Sequence, residues 1–219
     1  DKKLPKYRGQ QLFHAVFNQC QHSFMDMTIF SKQLRQELSE QYSLARPTLD
    51  LVQKSSDGTR KYRFLTESGI AFESVYIPDV ATGRKTNTLC LSSQTACNLN
   101  CAFCYTASLL KVVNLTTDQI VGQVIAVNDD LLQTFDGDSS VTITNIVFMG
   151  MGEPLLNFDN VVKAVKILQN NKGLDFSKRR ITVSTAGIVP AIKKLGEQLS
   201  VQLAVSLNAT TNEIRDKIM

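Results

Sequence analysis

Four of the five cysteines in this 219-residue chain fall within CLSSQTACNLNCAFCYT, residues 90–106. The last three, Cys97, Cys101 and Cys104, follow the spacing C-x3-C-x2-C. Thiolates are soft donors that suit zinc and iron–sulfur clusters. Three of them can converge on one centre, because the loop is short and Asn98 and Asn100 tolerate tight backbone turns. A structural zinc takes four ligands, and Cys90, upstream of the triplet, could supply the fourth. An iron–sulfur cube held by three cysteines leaves one iron open to a further ligand. On the residues alone both stand.

A second group is independent of the cysteines. NIVFMGMGEPLLN places Gly150, Gly152 and Glu153 directly after an apolar run. Glycine lets a backbone approach a ligand closely, and a following carboxylate can accept hydrogen bonds from an ammonium group. A plain Gly-Glu-Pro turn between a strand and a helix is the structural alternative.

These groups need elements to position them. Apolar residues recur at helical spacing over Arg8–Gln19 and Ile29–Tyr42. Residues 48–78 then alternate apolar and polar around Ser56-Asp57-Gly58 and Ser68-Gly69, which reads as a three-stranded antiparallel meander. From residue 86 short apolar strands alternate with amphipathic helices. The strands are read at Thr88–Leu91, Asn145–Met149, Arg180–Thr185 and Val201–Leu207. The helices are read at Thr117–Asn128, Phe158–Asn170 and Val189–Leu199, with another beginning at Asn212. Strands separated by single helices imply a parallel sheet. The cysteine loop then follows the first of these strands, at the end where ligand sites of parallel α/β sheets lie. The chain divides into a module over 1–85 and an α/β part over 86–219, joined through PDVATGRKTN.

Composition agrees with an ordinary globular protein, 43% hydrophobic and 20% charged. The longest uncharged apolar run, Ile146–Gly152, is seven residues, against roughly 20 for a membrane-spanning helix. The N-terminus has charge without an apolar segment behind it and reads as no signal peptide; a start without Met reads as a processed or excised piece. Cysteines bunched in one place fit a reducing, cytoplasmic setting and a metal or cluster better than a disulfide framework. Residues 1–85 carry 13 Lys and Arg against 9 Asp and Glu, whereas residues 86–219 carry 11 of each. That excess reads first as a solvated surface and alternatively as a contact for a phosphate backbone.

With Phe103 before its last thiol, the C-x3-C-x2-C loop resembles the signature of the radical S-adenosylmethionine superfamily. TLCLSSQTACNLNCAFC, NLTTDQIVGQV, NIVFMGMGEPLLN, RRITVSTAGIVPAIKKLG and LAVSLNATTNEIRDKI resemble, in order, the RlmN/Cfr family of 23S rRNA adenine methyltransferases. YRGQQLF and ESVYIP extend the match upstream. The wording is nearer the RlmN branch, which methylates C2 of adenine, than the C8-methylating Cfr branch.

The resemblance implies a partial (β/α)6-type barrel, with about four βα units present, preceded by a small α+β accessory domain over 1–85 that faces RNA. It implies a [4Fe-4S] cluster on Cys97, Cys101 and Cys104, and S-adenosylmethionine contacted by Gly152, Glu153, Ser184, Ser206, Leu207 and Asn208. The family usually has His where this chain has Asn208, so a ring-specific contact is not carried over. Glu73 matches the glutamate assigned as proton acceptor; read without the family, it is a solvent-facing charge on an edge strand. Cys90 matches a thiol that removes a proton from the methylated carbon and closes a transient disulfide; read alone, it is a small buried hydrophobe.

The implied mechanism methylates a protein cysteine with one S-adenosylmethionine and draws a deoxyadenosyl radical from a second. It acts on 23S rRNA and tRNA, with flavodoxin or ferredoxin as electron donor, in a monomer. The methyl-carrier cysteine, held near the family's C-terminus, is not reached in these 219 residues. They are therefore expected to bind the cluster poorly and not to complete methyl transfer alone. After Cys104 the family continues with a small residue and a glycine-containing polar stretch, whereas Tyr105–Leu110 is more apolar. Cys20 reads as core, and His14 and His22 match no ligand pattern. The principal rival is a non-enzymatic four-cysteine zinc module that binds RNA.

Overall fold

The computed structural model of the chain describes residues 4–44, 46–79, 83, 86–109 and 111–219. Helices α1 (Lys6–Phe17) and α2 (Lys32–Gln41) appear where the spacing predicts them, with limits shifted by up to three residues. Ala15 and Leu38 close a small core with Phe24, Met27 and Phe30. The Ser31 hydroxyl caps α2 by accepting from the Leu34 N–H at 3.3 Å, satisfying a donor that the first helical turn leaves free.

The meander forms as expected, with β1 (Thr48–Lys54), β2 (Arg60–Leu65) and β3 (Ala71–Ile77) paired antiparallel in order. Its inward face carries Tyr62, Phe64 and Phe72, each fully buried. Next, β4 (Thr88–Cys90) pairs antiparallel with β3 and parallel with β5 (Asn145–Phe148). Parallel β6 (Ile181–Thr185) and β7 (Gln202–Val205) complete a sheet in the order β1 to β7. The expected junction near residue 86 thus lies between two strands that pair with each other; residues 80–82 and 84–85 of it lie outside the described residues. Glu73 is not on an edge strand, because β3 is bracketed by β2 and β4.

Helices α3 (Thr117–Thr134), α4 (Phe158–Leu168), α5 (Val189–Gln198) and α6 (Asn212–Ile218) follow β4, β5, β6 and β7 in turn. Thr116 and Gln119 form a reciprocal capping box at the start of α3, two donors satisfied at once. This helix runs six residues past its expected end at Asn128. The two residues past that end, Asp129 and Asp130, meet partners from the N-terminal part. Asp129 pairs with Arg46, and Asp130 accepts from Arg60 at 3.1 Å and from the Tyr62 hydroxyl at 2.8 Å. The next residue, Leu131, returns to the core. The helix ends at Asp136 and Gly137, both with positive φ.

One main core joins the meander to the parallel part, with Tyr62, Phe64 and Phe72 in the same cluster as Leu89, Val124, Ile146, Val165 and Val183. Cys20, read as core, is half-buried against this cluster. His14 donates to the Lys172 carbonyl at 3.2 Å and Asn18 to that of Gly173 at 3.1 Å, docking α1 on the loop after α4. Among the described residues no helix is long and apolar enough to cross a membrane.

Candidate cluster and cofactor site

The cysteine loop leaves the C-terminal end of β4 and is pinched shut at its base. Thr95 N–H donates to the Val113 carbonyl at 3.0 Å, and its hydroxyl donates to the Lys111 carbonyl at 2.8 Å while accepting from Val113 N–H at 2.9 Å. Within the loop Asn100 takes φ of 52°, the left-handed turn that an asparagine tolerates. Cys104 N–H closes a turn on the Cys101 carbonyl at 3.0 Å, and Ala102 N–H reaches Ile218 of α6 at 2.9 Å.

Burial raises the Cys97 thiol above its ordinary value; nearby Cys101, Glu153 and Cys104 raise it further through charge repulsion, against a hydrogen bond from the Leu99 backbone. Burial leads at Cys101 as well, with Cys104 and Glu153 raising it and Arg215 lowering it. Cys90 is raised by burial alone. It sits on β4, its Cα paired to Val75 and Val147. The disulfide expected of Cys90 is not supported: all five cysteines are free. Among the described residues, no three His, Cys, Asp or Glu are gathered as ligands of a single metal ion.

The turn after β5 is built differently. Gly152 has φ of +93°, and a Cβ there would lie 2.5 Å from the Gln94 side chain; one on Gly150 would lie 2.8 Å from the Leu91 carbonyl. The close approach that demands glycine is therefore to the protein's own β4 loop. Glu153 is only 4% exposed. Its Oε1 accepts from Leu155 N–H at 3.0 Å and its Oε2 from Ala186 N–H at 2.8 Å, so it bridges the loops after β5 and β6. Each carboxylate oxygen retains a further lone pair.

Ser184 lies on β6, while Ser206, Leu207 and Asn208 follow β7. Arg215 of α6 gathers this rim by donating to the Ser206 carbonyl at 3.0 Å, to Leu207 at 2.6 Å and to Ala186. Asn208 takes φ of 49°, and its side-chain amide contacts Met219 Sδ at 3.2 Å. Glu73, on β3, ion-pairs with Lys61 at 3.2 Å. In the stretch after the cluster, Tyr105 is 82% exposed and opens a short 3-10 turn to Ser108; Leu110 lies outside the described residues.

Three residues at the site carry no role in the sequence reading. Gln94 accepts from Glu153 N–H at 2.9 Å and donates to Asn114 at 2.7 Å. Buried Asn157 donates to the Ser93 carbonyl at 2.8 Å and to Leu115 at 2.7 Å. Arg215 is the third. Gln94 and Asn157 stand inside the two motifs, so their positions offered a signal; nothing local marks Arg215.

The model of the Radical SAM superfamily matches residues 91–219. A protein of Zymomonas mobilis named dual-specificity RNA methyltransferase RlmN is 44% identical over all of this chain and 55% of its own length. The protein of that name from Geobacter sulfurreducens is 47% identical, over 100% of this chain and 57% of its own. A crystal structure of a radical SAM methyltransferase from Sphaerobacter thermophilus superposes with a TM-score of 0.86 at 35% identity, over 99% of this chain and 61% of that one. The chain thus spans about half the length of the curated relatives it matches. With a C-x3-C-x2-C loop after β4, a glycine-glutamate turn after β5, and a superfamily match over more than half its residues, the chain belongs to the radical SAM superfamily.

Proposed function

We propose that the chain carries the cluster-, cofactor- and base-holding part of a radical S-adenosylmethionine enzyme that methylates C2 of an adenosine in 23S rRNA and in tRNA. The supporting observation is the tie between the Gly152–Glu153 turn and the segment that carries the cysteines, Glu153 N–H donating to Gln94 at 2.9 Å, three residues before Cys97. The donor set fits a [4Fe-4S] cluster: three soft sulfurs, none in a disulfide, with a fourth thiol, Cys90, on β4. Cys97, Cys101 and Cys104 would hold the cluster, and Gly152, Glu153, Ser184, Ser206, Leu207 and Asn208 would hold S-adenosylmethionine. Bound together, these groups supply the deoxyadenosyl radical that chemistry at an unreactive aromatic carbon requires.

The chain's own residues do the rest. Glu153 presents its free lone pairs to the amino group of the cofactor while its buried N–H partners keep the carboxylate from turning. Arg215 fixes the carbonyls of Ser206 and Leu207 and so the shape of the far rim. Glu73 and Cys90 handle the proton that leaves the substrate carbon. The basic excess of residues 1–85 favours a phosphate backbone, with the target adenosine presented unstacked. The enzyme works as a cytoplasmic monomer supplied with electrons by a flavodoxin or ferredoxin.

The test is anoxic turnover of the full-length, cluster-loaded protein with 23S rRNA and tRNA, followed by mass spectrometry of the nucleosides. The expected product is 2-methyladenosine; 8-methyladenosine would move the enzyme to the C8 branch, and no methylated adenosine would overturn the reading.

A further inference from the structure

The β3–β4 ladder stops short of the residue that most needs it. It pairs Ile77 with Thr88, Tyr76 with Leu89 and Val75 with Cys90, and there ends. Ser74 and Glu73 continue to pair with Tyr62 and Arg63 of β2 on one side but have no strand partner on the other. Two buried side chains stand in for the missing rungs. The Ser92 hydroxyl donates to the Glu73 carbonyl and accepts from Met151 N–H at 2.8 Å. Gln123, fully buried on α3, accepts from the Ser74 hydroxyl at 2.5 Å and from Ser92 N–H at 3.0 Å. Its amide nitrogen donates to the carbonyls of Ser92 at 3.1 Å and Gln119 at 3.3 Å, so both donors and both acceptor sites of this amide are used.

One oxygen atom therefore joins the strand that carries Glu73 to the turn that carries Gly152 and Glu153. The two sides of that joint differ. The turn is held to the β4 loop without Ser92 Oγ, through Ser93 N–H and Gln94 N–H to the Met151 carbonyl at 2.9 and 3.2 Å, Gly150 N–H to Leu91 at 3.1 Å, and Glu153 N–H to Gln94. On the side facing the turn, among the described residues, the Glu73 end of β3 is tied by Ser92 and, one residue on, by Gln123 through Ser74. Removing the Ser92 hydroxyl frees the base from the cofactor turn and leaves the turn itself in place.

We infer that Ser92 is a positioning residue, which fixes Glu73 relative to the cofactor turn with Gln123 locking it from behind. This rests on the reading of Glu73 and the turn given above. Its consequence is uncoupling: with Ser92→Ala, radical formation continues and fewer radicals end in methyl transfer.

The test uses full-length protein carrying Ser92→Ala and, as a milder variant that removes only the Ser74 to Gln123 bond, Ser74→Ala. Hydrogen exchange of the segment 71–77 should quicken about tenfold in Ser92→Ala, the effect of one net hydrogen bond lost, with β5 and β6 unchanged. Ser74→Ala should shift the same segment less. In anoxic turnover, methylated adenosine per deoxyadenosine should fall about tenfold in Ser92→Ala while S-adenosylmethionine affinity holds. Unchanged exchange at 71–77 in both variants overturns the inference, as does a parallel fall of deoxyadenosine and methylated product. If exchange shifts as expected but the wild-type protein methylates no RNA, the positioning tie stands and the functional reading falls.

Discussion

Two loops meet at the site, and they are held in opposite ways. The Gly150–Glu153 turn is exposed at Gly150 but ends buried and cross-braced: Glu153 is 4% exposed, both its oxygens are engaged, and its N–H is taken by Gln94. The thiol loop is tied at its base by Thr95 and, among the described residues, reaches another element beyond that base through Ala102 N–H on Ile218. Phe103 stands 59% exposed in it. The protein thus builds the carboxylate turn in advance, whereas the thiol loop is a set of ligands whose arrangement the bound cluster completes. Rigid backing suits a group that must orient an amino acid; a loop with slack suits one that must close around an inorganic cube.

Breaking the loop side should give the largest effect. Serine at any one of Cys97, Cys101 or Cys104 is expected to drop bound iron and labile sulfide to background while thermal unfolding of the sheet barely moves. On the turn side, Glu153→Ala orphans the N–H groups of Leu155 and Ala186, at about 1–3 kcal/mol for each buried donor, measurable by denaturant unfolding. Gly152→Ala comes next: a side chain at φ of +93° that meets Gln94 should cost about 1–3 kcal/mol and weaken S-adenosylmethionine binding in calorimetry. The smallest effect is expected of Arg215→Ala. On the order of 1 kcal/mol is lost, with faster proteolysis at the rim after β7. If the cysteine variants destabilised the sheet as much as Glu153→Ala does, the contrast between the two loops would be wrong.

What the sequence made legible follows the range of the interactions involved. The thiol spacing is local, so the cluster loop and its left-handed Asn100 could be read directly. The order of strands and helices was equally plain, because each buries one apolar face. The end of α3 was not, since Asp129 and Asp130 look like solvated polar residues until Arg46 and Arg60 arrive from the N-terminal part. β3 looked like an edge strand for the same reason: nothing in it announces that β4 will pair beside Val75–Ile77. The need for glycine at 150 and 152 was legible, but its cause was not, because the crowding atoms belong to Leu91 and Gln94. Arg215 was silent, as its three carbonyl partners come together only when β6, β7 and α6 pack.

The claim on which the rest depends is that Cys97, Cys101 and Cys104 alone hold an iron–sulfur cluster with one iron free for S-adenosylmethionine. Anoxic reconstitution of the full-length protein followed by electron paramagnetic resonance of the reduced sample, with and without S-adenosylmethionine, measures this most directly. A cubane signal that shifts when the cofactor is added, and that survives Cys90→Ala, is the expected result. A colourless protein with zinc bound by all four cysteines, or a cluster signal indifferent to the cofactor, would contradict it.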